Sequence, residues 1–481
     1  MVKEFTQPKP TPEVHLVAKS PDLALGKNGI SNESHKNQRD DLLFYKNAQW
    51  SADGTTLITS NSLNEISSFV LPTDLLEPSH VPKDVSPLGT VCLPEPVLSY
   101  KPCPYFALEH LGTHLALASC VDNPIQLHAL FKSPGESTSV RASYRLINQL
   151  TEAYLPATSM VWPVAQNFLV GSKNTLALFD VSATGSGPVT TIATIPSTRH
   201  KLKGGGVGMK GTVSALSTQQ LGAEQGYGGI IGLVAAGTRT RRIGIYDLAR
   251  SNVAASLFGV NNAADSVSKI GGQGIVQTAW SPCGRYLLVC ERRSAGMLVY
   301  DVRVEGKLLG WLGGKVESES QQVLTCDLFA GLEGNSGFEV WSGDHDGMVR
   351  VWEGVGMREG ETEPSWEWQA HQKGVSVGAS ILHTTGSVVA TCSGSWVPDE
   401  GNFDGQKPGV YSREDCCLKV WNVSFGGPSP DGAQVISHGN SPTASEGVNV
   451  NIRFDEPHLI EEQRLGQNSY EQDEYRKPNQ V

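Results

Sequence analysis

The feature that most constrains this chain is a pair of strands that recurs seven times. An apolar strand ends in small residues, a short turn follows, and a second strand closes on an aromatic, often beside an acid. The first members read LITSNS (57–62), LALASC (115–120), FLVGSK (168–173), LVAAGT (233–238), LLVCER (287–292), EVWSGD (339–344) and VVATCSG (388–394). Their partners read ISSFVL (66–71), IQLHAL (125–130), LALFDV (176–181), IGIYDL (243–248), MLVYDV (297–302), VRVWEG (349–354) and LKVWNV (418–423). Apolar residues alternate over five or six positions, the period of a strand, and helical spacing is almost absent. Such a unit cannot bury its own hydrophobic face and must stack on its neighbours.

Small residues where one strand ends let the inner strand of the next unit approach closely. The aromatic closing its partner packs between units, as the Trp-Asp dipeptide does in WD repeats. Those positions are Phe69, His128, Phe179, Tyr246, Tyr300, Trp352 and Trp421, spaced 51 to 69 residues apart. That exceeds the usual repeat of about 40–45, and the excess falls in loops 196–212, 260–274 and 396–416, where a rigid scaffold builds binding sites. Polar, glycine-ended turns at 51–54, 281–284 and 383–386 join the first two strands of a blade. The expected fold is all-β, a single seven-bladed WD40 β-propeller over 41–429 with disordered termini. Residues 1–40 are expected to be mostly disordered apart from VHLVAKS (14–20), which should pair with the last blade, since closing the ring removes exposed sheet edges. Residues 430–481, rich in Gly, Ser, Asn, Gln and acids, read as a disordered acidic tail.

The 52 glycines and 27 prolines suit a fold with many turns. The net charge of −11 gives no bulk attraction to nucleic acid or an acidic membrane, but it is unevenly placed: from Ser424 onward nine acids face four bases. A local basic face is therefore compatible with the negative total. No run approaches about 18 apolar residues, and Met1–Lys9 has no apolar core, so no membrane association is expected. The nine cysteines form no CxxC pair, and the adjacent Cys416 and Cys417 suit neither zinc nor an easy disulfide, which fits a reducing compartment.

Gly206, Gly208 and Gly211 formally satisfy GxGxxG, but VSALST follows and reads as a strand, where a nucleotide fingerprint needs a helix. His110 and His114 lie four apart without a glutamate between them. Asp344, His345 and Asp346 fall at a strand-to-strand turn, where side-chain hydrogen bonds to the backbone are the ordinary role. No GxSxG, HExxH, P-loop or paired-carboxylate motif occurs. No catalytic residue, metal or cofactor is expected, and the chain reads as a binding platform, not an enzyme.

The basic residues carry more information. In a blade, the turn from the second to the third strand shares a face with the link between blades. Blade four places Arg239, Arg241 and Arg242 in that turn, and blade five places Arg292 and Arg293 there. The loop leading into blade four, with Lys201, Lys203 and Lys210, opens onto the same face. Together they make one basic rim. Guanidinium forks suit phosphate and stack on unpaired bases, so structured or single-stranded RNA is the natural ligand. Two competing readings are that these arginines pair with acids of adjacent loops, such as Glu291 or Asp247, or that they meet an acidic protein.

Several segments resemble the telomerase Cajal-body protein family of WD40 proteins and its fungal splicing-linked branch. They are residues 47–66, DNPIQLH (122–128) with RASYRLINQL, GTRTRRIGIYDL (237–248), 279–303, HQKGVSVGASILHTTGSVVATCSGSW (371–396) and 418–423. The likeness spans about 41–423. It implies a nuclear, non-catalytic protein that recognises a loop element in small nuclear or Cajal-body-type RNAs, telomerase RNA among them, and supports ribonucleoprotein assembly or localisation; the propeller itself is expected to be monomeric. The alternative it leaves open is a splicing factor that joins spliceosomal snRNPs without touching RNA. By position, the resemblance puts basic residues at Arg241 and Arg292, and less clearly at Arg239, Arg242 and Arg293. Blade two departs from the family pattern, with Leu127 and His128 in place of Trp-Asp. The acidic, proline-rich N-terminal extension of animal members has no counterpart in the sequence, so contacts made through it are not expected.

Overall fold

The computed structural model describes residues 12–23, 44–132, 136, 138–195, 208–219, 232–250, 253–260, 262–316, 320, 322–331, 337–373, 376–394 and 415–424. Among them are seven antiparallel sheets, each built on four strands. Blade one runs Tyr45–Trp50, Thr56–Asn61, Glu65–Val70 and Gly89–Cys92, and the next five blades repeat this order along the chain. Blade seven takes three strands from the end of the fold, Val377–Leu382, Val388–Ser393 and Leu418–Ser424. Its fourth is Glu13–Lys19, which pairs antiparallel with the last of these. The ring is thus fastened by the two ends of the fold, with a register shift between Leu16 and Ala18.

All seven closing positions, His128 of blade two included, are buried. The small residues on the second strands admit the neighbouring blade. A Cβ on Gly237 would lie 2.6 Å from Ile275 Cγ2 of blade five, and one on Gly343 would lie 2.5 Å from Val377 Cβ of blade seven. Hydroxyls and amides stitch blade to blade. Ser159 Oγ donates to the Val213 carbonyl (2.8 Å), Ser214 Oγ to that of Ile275 (2.5 Å), and Gln277 Nε2 to that of Cys326 (2.8 Å). Each bond satisfies a carbonyl that the inner strand cannot pair within its own sheet.

Two outer edges are covered by segments borrowed from elsewhere. Lys83–Asp84 adds in parallel to Glu13–Lys19, and Gly360–Thr362 adds in parallel to the outer strand of blade five, Lys307–Leu312. Both cover sheet edges that would otherwise present unpaired backbone groups. The loop 260–274 carries a short α-helix, Asn262–Ser268, which the alternating apolar pattern did not anticipate. No helix among the described residues is long and apolar enough to cross a membrane. Residues 1–11 and 425–481, where most of the expected terminal disorder falls, lie outside the described residues.

Candidate nucleic-acid interface

Among the described residues, every turn between the second and third strands of a blade contains a residue with positive φ one to four residues ahead of the third strand. In order these are Asn64, Asp122, Asn174, Arg241, Arg293, Gly347 and Asp415. Asn, Asp and Gly are the residues that visit this region readily, the first two because a short polar side chain bonds locally. Arginine has no such help, and the left-handed backbone costs it about 1–2 kcal/mol. Among the described residues, only blades four and five place arginine there.

At Arg241 the reason is structural. Nε and Nη2 donate to Glu291 (2.8 Å each), and Nη1 and Nη2 donate to Asp265 (2.8 and 2.6 Å). One guanidinium therefore ties its turn to blade five and to the Asn262–Ser268 helix. Asp265 first, then Glu291, raises the affinity of Arg241 for its proton. The Glu291 side chain is 2% exposed, and its burial pushes its carboxyl above the usual range despite the arginine. Pairing with Glu291, one of the alternatives weighed from the sequence, is what occurs at Arg241. The expectation that this residue stands out on the rim is corrected: acids supplied by blade five and by loop 260–274 hold it inward. Asp247 pairs with Arg250 (3.3 Å).

Arg239 and Arg292 are disposed differently. Both line the central channel, a cavity of about 900 Å³ walled by the inner strands of all seven blades. Burial disfavours the charged form of Arg292, and the like charge of Arg239 adds to that. The Nε of Arg292 is buried without a hydrogen-bond partner among the described residues. Lys210 is exposed, and its carbonyl accepts a bond from Thr240 Oγ1 in the arginine turn of blade four. Arg242 is also exposed, but lies over Gly259 of the outermost strand of blade four, away from the channel. Arg293 is half-buried and lines a small cavity of about 20 Å³ with Arg292, Lys315 and His345. Lys201 and Lys203 lie outside the described residues.

The channel holds two further cations, which stand singly in the sequence and not in a basic cluster. Lys46 and Lys101 stand on the inner strands of blades one and two. Burial lowers the pKa of both, and Asp327 partly offsets this for Lys101. Lys101 Nζ donates to Gln49 Oε1 (3.1 Å). Asp327 accepts bonds from the backbone N–H groups of Leu328 (2.9 Å) and Leu382 (3.0 Å), yet burial pushes its carboxyl up to about 6. The signal was available: a lysine inside a first strand, as in YKNAQW and VLSYKP, points into a channel whenever its apolar neighbours face the blades.

The other candidate groups are structural. His114 Nε2 bonds the carbonyls of Ala107 and Leu108 (3.1 Å each). In blade six, Asp344 and Asp346 pair with Arg350. Gly208 and Gly211 precede the strand Val213–Thr218, as read from the sequence, while Gly206 lies outside the described residues. His371, Asp415 and Cys417 lie together and buried in blade seven, a grouping with metal-ligand chemistry. However, His371 Nδ1 bonds Asp415 (3.1 Å), Nε2 bonds Thr391 Oγ1 (2.9 Å), and that hydroxyl accepts from Trp421 Nε1 (2.9 Å). Both ring nitrogens are engaged, and burial pushes the Cys417 thiol up, away from the thiolate a metal needs. The cluster is a hydrogen-bond relay that holds the last blade.

No protein-family model matches the chain. It is similar to Telomerase Cajal body protein 1 of Mus musculus, 25% identical over 401 residues, which is 80% of this chain and 67% of that protein. The human protein of that name is 24% identical over 407 residues, 82% of this chain and 66% of its own length. Guanine nucleotide-binding protein negative regulator 1 of Schizosaccharomyces pombe is 24% identical over 334 residues, 69% of this chain and 74% of that protein. The chain thus spans about two thirds of the length of the two mammalian relatives. The resemblance drawn from the residues is borne out by these relatives.

Proposed function

We propose that this propeller is a non-catalytic RNA-binding scaffold of the nucleus, recognising small nuclear or Cajal-body-type RNAs and supporting assembly or localisation of their ribonucleoproteins. Telomerase RNA falls within that class. The observation that carries the reading is the pair of like-charged guanidiniums, Arg239 and Arg292, set together on the channel. Lys210 is tied to the same turn. Arginines that share a cavity and pair with no carboxylate among the described residues are arranged for an outside anion. The relatives' printed name supports the Cajal-body and telomerase context.

The test is ultraviolet crosslinking in cells, followed by sequencing of the bound RNA. Enrichment of small nuclear, Cajal-type or telomerase RNA is expected, and recovery of none of them refutes the proposal. Purified protein should also bind RNA with an affinity that falls steeply as salt rises. A second reading, a splicing factor contacting RNA only through protein partners, is favoured by Leu150 and Ile147. Both are exposed apolar residues in the segment 141–162. Weak, salt-insensitive binding to naked RNA would select it.

A further inference from the structure

We infer that Arg239 and Arg292 form a single oxyanion site at the channel, which takes one phosphodiester of a single-stranded RNA segment. The inference rests on the RNA reading above and adds to it the place and the chemistry of the contact.

Three observations build the site. First, the two guanidiniums come from adjacent blades and line the same cavity. Two cations are stable side by side when a shared anion lies between them, and arginine supplies several N–H donors to such an anion. Second, Arg292 has a buried Nε with no acceptor among the described residues. An unpaired buried donor on a charged group costs free energy, and Arg292 is not held through Nε by any acceptor among the described residues. The neighbouring 20 Å³ cavity has room for about one water, so the space for an anion is on the channel side.

Third, the arginines are held in fixed relation by one short loop. Gly274 has φ +112°, and a Cβ there would meet the Arg239 carbonyl at 2.7 Å. The Arg292 N–H donates to the Gly274 carbonyl (3.1 Å), and the Gln273 N–H donates to the Arg292 carbonyl (2.9 Å). The same few residues therefore touch the backbone of both turns, and Gln273 also lines the channel. Nearby, Arg241 neutralises Glu291, so the carboxylate closest in sequence does not compete for Arg292. Four cations and one carboxylate, Asp327, line the channel among the described residues. That surplus favours a polyanion over an acidic side chain arriving alone.

The test uses the full chain with Arg239→Gln, Arg292→Gln and the double variant. Arg250→Gln, an 87% exposed position engaged with Asp247, serves as control. Binding of a fluorescein-labelled single-stranded RNA is followed by anisotropy from low to high salt. Thermal shift is measured with inorganic phosphate against chloride at equal ionic strength. Each single variant should lose roughly 10-fold in affinity. Because both arginines serve one phosphate, the double variant should lose much less than the product of the two, and the log–log salt slope should fall by about 0.7. Phosphate should raise Tm in the parent and in Arg250→Gln but not in the double variant. Melting of the unliganded variants near the parent Tm shows that the fold is intact.

Normal RNA affinity in the double variant overturns the site and leaves the RNA reading standing. Losses that multiply, with a slope change near twice that value, overturn the shared-phosphate geometry. A parent that binds phosphate through these arginines but no RNA overturns the phosphodiester assignment together with the RNA reading. An acidic peptide that displaces RNA at equal charge overturns the choice of a phosphodiester.

Discussion

Replacing Arg241 with alanine should unfold this protein more readily without touching an RNA-facing surface. The substitution deletes four charge-assisted hydrogen bonds to Glu291 and Asp265. It also leaves the Glu291 carboxylate, 2% exposed, buried without a counter-ion. Breaking one side of a buried pair costs about 3–5 kcal/mol. In a fold of this size that lowers Tm by roughly 4–6 °C. The exposed neighbour, Arg242→Ala, should stay within about 0.5 kcal/mol of the parent. Two companions separate the causes. Arg241→Asn places at the left-handed turn a residue that suits it, as Asn64 and Asn174 do in blades one and three, so its smaller loss measures the clamp with the backbone strain relieved. Arg241→Met with Glu291→Met removes both charges, and apolar replacement of a buried pair is often neutral or better; it should recover most of the stability. Urea unfolding followed by tryptophan fluorescence, together with calorimetric Tm, reads all four. An Arg241→Ala protein that melts within about 1 °C of the parent while losing RNA affinity would refute the clamp and return this arginine to the rim.

Acid should destabilise the fold well before ordinary, exposed carboxylates titrate. Burial depresses the pKa of His128, His345 and His371 to about 4, against roughly 6.5 in the unfolded chain. Their contribution is whole above that value and is lost as pH falls toward 4, by about 2 kcal/mol per histidine at pH 5. Asp327, raised to about 6, runs the opposite way and returns roughly 1 kcal/mol over the same interval. Stability that stays flat from pH 7 to 5 in urea titrations would sink this account. His128→Phe should both stabilise and flatten the profile, since the buried imidazole Nε2 has no partner among the described residues at a position where Phe69 and Phe179 close other blades. Gly237→Val should cost about 1–3 kcal/mol or more by overpacking against Ile275. Gly112→Ala, with open space around it, should stay within about 0.5 kcal/mol, and equal melting of the two would contradict the close-approach argument.

Much of the fold was legible in the residues because a blade announces itself locally. Alternation sets the strands, a small residue marks each close approach, and a large ring marks each filled wedge; Gly237, Gly343, Tyr300 and Trp352 all do what their types suggest. The segment 14–20 stood out for the same reason, as an isolated alternating stretch that pairs across the whole chain with Leu418–Ser424. The helix Asn262–Ser268 was not legible: it is two turns long, and it reaches the ring through the Asp265 bond to Arg241 and one small buried residue, Ala264, too little apolar surface to mark a stripe in the sequence.

The candidate site divides along the same line. That blades four and five carry arginine in equivalent turns, on one face of a closed ring, follows from the sequence alone, because turn position and blade order are properties of the chain. Which arginine faces outward was decided in three dimensions. Arg241 reaches a carboxylate 50 residues away and another 24 residues away, while Arg239 and Arg292 both line a channel whose walls come from all seven blades. Backbone period is short-ranged and survives in a string of letters. The pairing of a charge depends on which other charges the folded ring brings within a few ångströms, and on how little water is left between them.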